Sequence, residues 1–336
     1  MGGNTVISSH VFTDTWDFLL FYKKLYDEIS GNKSIFNNVR KVKKMHDYLQ
    51  AIGFDRSMKR AEKDDLLLSI VETPDEKLYF RTGEDSCIVQ YNKDFGDPFG
   101  ISLVGEMDEN GELTLEYVYP YVKGKNMFFH EEIHIEKYSD RDAYAGICDN
   151  VNLGVPLIFY IHNFIHYLNM SQYKEMFPEV NNVVLAGLSL DGTVILNVEK
   201  DEKQIRKERK SDNNRNQLLE AAREGNMEAI EMLTLDDMDT YTMISKRAKR
   251  EDVFTIVDSY CIPYGVETDK YSILGTIYDV AEYKNEMTGK EIYYLSIGCN
   301  NLEFDICINK SDLLGEPLKG RRFKGVVWLQ GMIDYI

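Results

Sequence analysis

The sequence predicts an α+β protein: an N-terminal antiparallel-sheet domain with packed helices, a helical connector, and a small C-terminal β-barrel that is OB-like. Three observations carry this prediction. Apolar residues recur at helical spacing near the N-terminus, alternate with polar residues in the middle of the chain, and alternate again towards the C-terminus. The domains follow from these changes of period: a helical N-terminal extension (1–44), the α+β domain (45–200), a charged linker with a helical hairpin (201–265) and the barrel (266–336).

The first helices are indicated by apolar spacing and by their end signals. Thr13 or Asp14 can cap a helix whose apolar residues, from Phe18 to Ile29, recur at helical intervals. A second helix is expected from near Ile35 to Ala51, ending at Gly53.

From about Leu66 to Asp149 the period changes to two, which is typical of strands. Residues 113–121 alternate between apolar and polar, and Asn110-Gly111 separates them from the apolar run Ile101–Val104. Asn-Gly between two such runs predicts a hairpin and hence an antiparallel meander.

A helix is predicted next, because Pro156 precedes a stripe of apolar residues running from Leu157 to Leu168. A second hairpin is predicted around Asp191-Gly192, which separates two apolar runs.

The connector and the barrel complete the chain. Residues 200–216 lack apolar anchors, and residues 218–233 have the spacing of a helical hairpin turning at Gly225-Asn226. From Tyr271 the expected order is three strands, a helical turn near Ser311–Leu314, and further strands, which is the order of an OB-fold.

The net charge and the cysteines indicate which partners and which cellular compartment suit this protein. The formal net charge of −17 disfavours nucleic acid and anionic membranes as partners. The five cysteines form no C-x-x-C pair, which fits reduced thiols in a cytoplasmic protein. The sequence shows no secretory signal and no apolar run of about 20 residues, so no membrane association is expected.

Two histidine pairs have a spacing that could suit a metal ion. His130 to His134 reads H-E-x-x-H, but Glu132 to Glu136 alternate as in a strand, which would separate the two histidines by ~13 Å. His162 and His166 are better placed for a metal, because they would lie one turn apart on the predicted helix. No other convergent set of acid, base or nucleophile is apparent, and no cofactor is expected.

A basic group lies in the last predicted strands. Arg321, Arg322 and Lys324 stand close in sequence to Trp328, and aromatic and basic residues on an OB surface can bind single-stranded nucleic acid.

Several segments resemble one protein family. Five segments are similar to a family of uncharacterised bacterial proteins: MHDYLQAIGF from Met45, YAGICDNVNLGVPLIFY from Tyr144, LSLDGTVILNVEK from Leu188, LTLDDMDTYTMISKR from Leu233 and EDVFTIVDSYCIPYGVETDKYSILGTI from Glu251. The resemblance runs from about residue 45 to the C-terminus and leaves out residues 1–44. It implies a bacterial cytoplasmic protein and assigns no catalytic positions.

The sequence therefore favours a non-enzymatic binding or adaptor protein with an unidentified protein partner. The alternatives are a metal-dependent hydrolase using His162 and His166, and a single-stranded nucleic-acid binder acting through the barrel.

Overall fold

The fold was analysed in a computed structural model. It describes residues 45–83, 86–129, 133–139, 143–150, 155–174, 180, 182–198, 211, 214–215, 217–222, 224–266, 268–300 and 302–333. These residues form two compact units. One contains residues 57–93 and 102–119, and the other contains residues 46–56, 94–101 and 120–333.

The first unit contains a helix and a four-stranded sheet. Helix α1 (Arg60–Glu72) begins where the Glu62 carboxylate accepts a hydrogen bond from the backbone of Lys59 at 2.8 Å. Its buried residues are Leu66, Leu67, Ile70 and Val71. The expectation that period-two strands begin at Leu66 is therefore wrong, because these residues recur at helical spacing and line one face of α1.

The sheet has the order β1-β2-β3-β4. Its strands are β1 (Glu76–Arg81), β2 (Cys87–Asp94), β3 (Phe99–Met107) and β4 (Leu113–Val122). Gly111, with a φ of +75°, lies in the β3–β4 turn, and the Asp108 carboxylate accepts hydrogen bonds from the backbone of Asn110 and Glu112. The predicted first hairpin is confirmed, as is the antiparallel meander.

The second unit is built on one large sheet that closes on itself. Its upstream strands are β5 (Met127–Phe129), β6 (His134–Lys137), β7 (Tyr144–Asn150), β8 (Val155–Ile161) and β9 (Asn182–Ile195). Its downstream strands are β10 (Tyr260–Pro263), β11 (Lys270–Lys284), β12 (Glu291–Cys299), β13 (Leu302–Asn309), β14 (Leu313–Leu314) and β15 (Arg322–Ile333). Helix α2 (Phe164–Lys174) follows β8.

Five of these strands form a closed barrel in the order β11-β12-β13-β9-β15, with β15 pairing back to β11. The predicted strand order is confirmed, including a short 3-10 helix (Lys310–Asp312) after β13. The fold class, α+β with a barrel, is therefore correct. The strand that completes the barrel, β9, precedes residue 200, so the barrel is not confined to residues 266–336, and the division into domains at these positions stays a prediction.

The helix predicted to start near Pro156 is wrong in its first half. Residues Val155–Ile161 form β8, which pairs antiparallel with β7 and parallel with β15, and α2 begins only at Phe164. Leu157, Phe159 and Ile161 are completely buried, and Tyr160 between them is nearly so. A strand buried on both faces is a continuous apolar run, and such a run also fits a helical stripe.

The hairpin predicted at Asp191-Gly192 is also wrong, because β9 continues through both residues. Opposite this point β15 shifts its register between Gly325 and Val327. A Cβ atom at Gly192 would collide with the Phe323 ring. The glycine is therefore needed for close packing inside the barrel and not for a turn.

A 3-10 helix (Asp47–Ile52) ends at Gly53, which has a φ of +95°, so the predicted helix end is confirmed. The helices expected between residues 13 and 44 lie outside the described residues, as does the extension 1–44.

The connector contains α3 (Met227–Arg247) and a short α4 (Val253–Ile256). Gly225 has a φ of +86°, and the Asn226 side chain caps α3 by accepting hydrogen bonds from the backbone of Glu228 and Ala229. Within the described part of the chain, no helix combines the length and the apolar character needed to cross a bilayer.

Candidate interaction surface

His162 and His166 are not presented by one helix. His162 lies before α2, is buried, stacks on Tyr121 at a ring distance of 5.8 Å, and donates its backbone N–H to Gly331. His166 is exposed on α2. Among the described residues, no group of three or more His, Cys, Asp or Glu could hold a metal ion. The helical geometry on which the metal-site hypothesis depended is therefore wrong.

His134 lies on strand β6, as the alternation around it predicted. His130, Glu131 and Glu132 lie outside the described residues.

Trp328 lies in a packed aromatic cluster of the barrel. Its ring stacks on His46 at 4.5 Å and contacts Tyr48 and Tyr160 at 5.4 and 5.2 Å. Its indole N–H donates to the Asp269 carboxylate at 2.8 Å. Burial and the nearby Asp269 raise the pKa of Tyr48 to about 12. The ring and the polar edge of Trp328 therefore have partners within the fold, and the indole is buried and cannot stack on a base as expected.

The three basic residues near Trp328 do not form one surface. Arg322 is only 3% exposed, and burial lowers its pKa from the ordinary value. Its guanidinium donates to the carbonyls of Leu196, Phe254 and Val257 at 2.8 to 3.2 Å. Such a side chain joins the start of β15 to neighbouring backbone and is not presented to a ligand.

The other two are nearer the surface and have partners of their own. Arg321 donates to the Glu316 carbonyl at 2.7 Å and lies 3.7 Å from its carboxylate. The Lys324 amine lies 4.7 Å from the centre of the Phe254 ring. The predicted basic binding group is therefore divided between a buried position and two engaged ones.

The outer face of β12 and β13 is covered by the chain itself. In an OB-fold this face binds oligonucleotides. Here the Asp305 carboxylate, which is completely buried, accepts from Ser296 at 2.6 Å and from the Lys125 backbone at 2.7 Å. On the same face Tyr294 donates to the Lys123 carbonyl at 3.0 Å, and Asn309 pairs with the Gln50 carbonyl at 3.4 Å. Nucleic acid could reach this face only by displacing both segments.

One cavity of about 330 Å³ lies beside β11, β12 and the loop before β15. Its lining includes three carboxylates, Asp279, Glu282 and Glu316, with Tyr293 and Lys319. Glu282 is paired with Lys310 at 2.9 Å, and Glu316 lies near a guanidinium. The cavity therefore offers paired charges and not a nucleophile beside a base.

Helix α3 carries several exposed apolar side chains. On a helical wheel of about 100° per residue, one arc of about 140° contains five exposed apolar side chains, here called the α3 apolar face. They are between 40% and 75% exposed, and they are Met227, Ile230, Leu235, Met238 and Tyr241. Glu231 is the only charged residue within this arc.

The opposite side of α3 is already occupied. Arg215, before the turn at Gly225, forms ion pairs with Asp236 and Asp237 at 3.0 and 2.7 Å. The buried residues of α3, Ala229 and Leu233, lie on the same side of the helix as these aspartates. Residues 217–222 and α3 are helical on either side of the turn at Gly225, and the helical hairpin as a unit stays a prediction. The contacts of α3 with Arg215 lie on the side opposite the α3 apolar face.

The sequence predicted a helical hairpin here, but the exposed apolar face of α3 was not predicted. A signal was present: apolar residues occur on both sides of α3, whereas a hairpin can cover only one of them.

A protein-family model described as "Domain of unknown function, E. rectale Gene description (DUF3881)" matches residues 49–331. No curated protein and no solved structure was found to match the chain.

Proposed function

Because the chain belongs to the DUF3881 family, whose description specifies no activity, we propose from geometry that it is a non-enzymatic, protein-binding module of the bacterial cytoplasm. The observation that carries the proposal is the α3 apolar face. Exposed apolar surface of this kind on a protein is a frequent mark of protein–protein contact. The five cysteines are free and buried, which supports the cytoplasmic assignment.

The alternatives have less support. Of the two histidines proposed for hydrolysis, His162 lies in a buried turn and His166 at an exposed position of α2. The barrel face proposed for nucleic acid carries buried hydrogen bonds to the chain's own segments. Neither geometry presents reacting or stacking groups to a ligand, whereas the α3 apolar face is open to a partner.

The test compares three tagged forms of the full chain as baits: the wild type, Met238→Glu and Met243→Glu. Met238 lies in the α3 apolar face, and Met243 is an exposed methionine on another side of the same helix. The introduced charge should abolish partner capture at Met238 and preserve it at Met243, because only the first would be desolvated in the complex. Capture that both variants retain would contradict the proposal. So would a wild-type bait that captures neither another protein nor an untagged copy of this chain.

A further inference from the structure

The distribution of charge along α3 identifies an occupant for the α3 apolar face. Three glutamates lie just before α3 or in its first two turns: Glu224, Glu228 and Glu231. Four basic residues lie in the last turn of α3 or just beyond it, Lys246, Arg247, Lys249 and Arg250, and they outnumber the two acidic residues that follow, Glu251 and Asp252. The two charged ends are therefore of opposite sign, and the apolar face lies between them.

A second copy of the same helix complements this arrangement when it runs antiparallel. Each acidic end then meets the basic end of the other copy, and the two apolar faces meet between them. A parallel arrangement would instead place like charges together at both ends. The three central aspartates do not oppose the pairing, because they lie outside the arc of the apolar face, and Asp236 and Asp237 are bound by Arg215.

We propose that the α3 apolar face binds the same face of a second copy of this chain, with the two helices antiparallel about a two-fold axis near Met238. This inference rests on the proposed protein-binding function and names its partner. An antiparallel pair of identical faces is self-complementary and closes at two copies. The 21 residues of α3 give each copy a helix of ~31 Å over which contacts can form.

The position of the axis follows from the charges. Met238 lies about midway along the sequence between the acidic and the basic groups. In an antiparallel pair, residues at the midpoint lie beside their own counterparts, whereas Met227 would lie ~33 Å from its counterpart at ~1.5 Å rise per residue. In a parallel pair, both residues would lie beside their counterparts.

The first experiment measures mass in solution for the purified full chain by light scattering over a range of concentrations. We expect a dimer whose dissociation constant rises at least tenfold in Met238→Glu and less than threefold in Met243→Glu. A wild-type chain that is monomeric at every concentration up to about 100 μM would overturn the second copy as occupant. A dissociation constant above that concentration would mean weaker binding than at most specific interfaces. A dimer that Met238→Glu leaves unchanged would also overturn the second copy as occupant.

The second experiment fixes the direction of pairing by oxidative cross-linking with copper phenanthroline. The five native cysteines are buried, so an introduced cysteine is the accessible thiol, and a disulfide requires Cα atoms within about 7 Å. Met238→Cys should form a covalent dimer and Met227→Cys should not. Cross-linking of both variants, or of Met227→Cys alone, would overturn the antiparallel arrangement.

The two proposals fail separately. A monomeric chain that captures a different protein through Met238 would overturn the second-copy inference and leave the protein-binding function standing. A monomeric chain that captures nothing would overturn both.

Discussion

The role of Arg322 in the fold can be tested by replacing it with methionine, which keeps an unbranched apolar stem and removes every hydrogen-bond donor. The guanidinium makes four hydrogen bonds of 2.8 to 3.2 Å to three backbone carbonyls. A hydrogen bond to a charged group contributes about 1.5–3 kcal/mol, and part of this is recovered where a carbonyl can return to water. Leu196 is largely exposed, so we expect the free energy of unfolding to fall by about 3–5 kcal/mol.

The assay is urea denaturation followed by tryptophan fluorescence. Trp328 lies in the same strand as Arg322 and reports on the barrel, and Trp16→Phe removes the other tryptophan of the chain. With a urea dependence of about 2–3 kcal/mol per molar, the urea midpoint should fall by about 1–2.5 M.

The neighbouring arginine provides the control. Arg321→Met removes an exposed ion pair and one carbonyl contact with Glu316, so the loss should stay below about 1 kcal/mol. Arg322→Lys should fall between the two, because an ammonium cannot reach all three carbonyls from one position. Equal losses for Arg322→Met and Arg321→Met would refute the structural role assigned to Arg322.

Three further predictions concern other parts of the molecule. The Lys77 amine lies 4.8 Å from the Tyr91 ring centre, and burial lowers its pKa to about 8. The same lysine in the unfolded chain keeps its ordinary pKa of 10.5 and holds its proton more tightly. At pH 7 the folded state therefore contains an unfavourable buried charge, and Lys77→Met should be more stable than the wild type. The difference in the free energy of unfolding should shrink as the pH rises from 8 to about 10.5, because the folded lysine loses its proton over this range. Denaturation across this range measures it, and a constant difference would contradict the prediction. Gly192→Ala should lower the free energy of unfolding by about 1–3 kcal/mol through collision with Phe323; an unchanged denaturation midpoint would contradict this packing. Asp269→Ala should cost about 1–3 kcal/mol and shift the emission of Trp328, whose indole loses its acceptor, and an unaltered spectrum would argue against this contact.

Local signals predicted much of the fold. Asn110-Gly111 lies between two apolar runs, and the sequence of this one segment is enough to predict the hairpin. Gly53 and Asn226 marked a helix end and a helix start, where backbone geometry and capping select a few residue types. The order of barrel strands also followed from alternation and from the short helical turn.

Predictions that depended on distant partners failed. Asp191-Gly192 has the composition of a turn. The chain nevertheless continues as strand β9 through both residues, because β9 pairs with β15, which lies more than 120 residues away in the sequence. Leu157–Ile161 is a continuous apolar run that is buried or half-buried, and it pairs along its edges with β7 and β15, which come from separate parts of the chain. Such a run has no periodicity that would distinguish a strand from a helix.

The candidate binding residues were chosen by residue type, which does not determine burial. Arg322 and Trp328 are of types that often bind ligands, but whether they meet solvent or backbone depends on segments hundreds of positions away or on carbonyls of other elements. The exposed face of α3 could be inferred from the sequence only in part, because exposure depends on what covers a helix and not on the helix alone.

The upstream origin of β9 has a consequence for protein synthesis. While the chain leaves the ribosome from its N-terminus, β9 emerges before any of the four strands with which it shares the barrel. The backbone N–H and C=O groups of β9 cannot pair with β13 and β15 until those strands have been synthesised. A nascent chain with open strand edges is prone to pair wrongly with neighbouring chains. Conversely, a fragment that begins after residue 200 would retain four barrel strands with open edges on β13 and β15, and should aggregate unless β9 is supplied as a separate peptide.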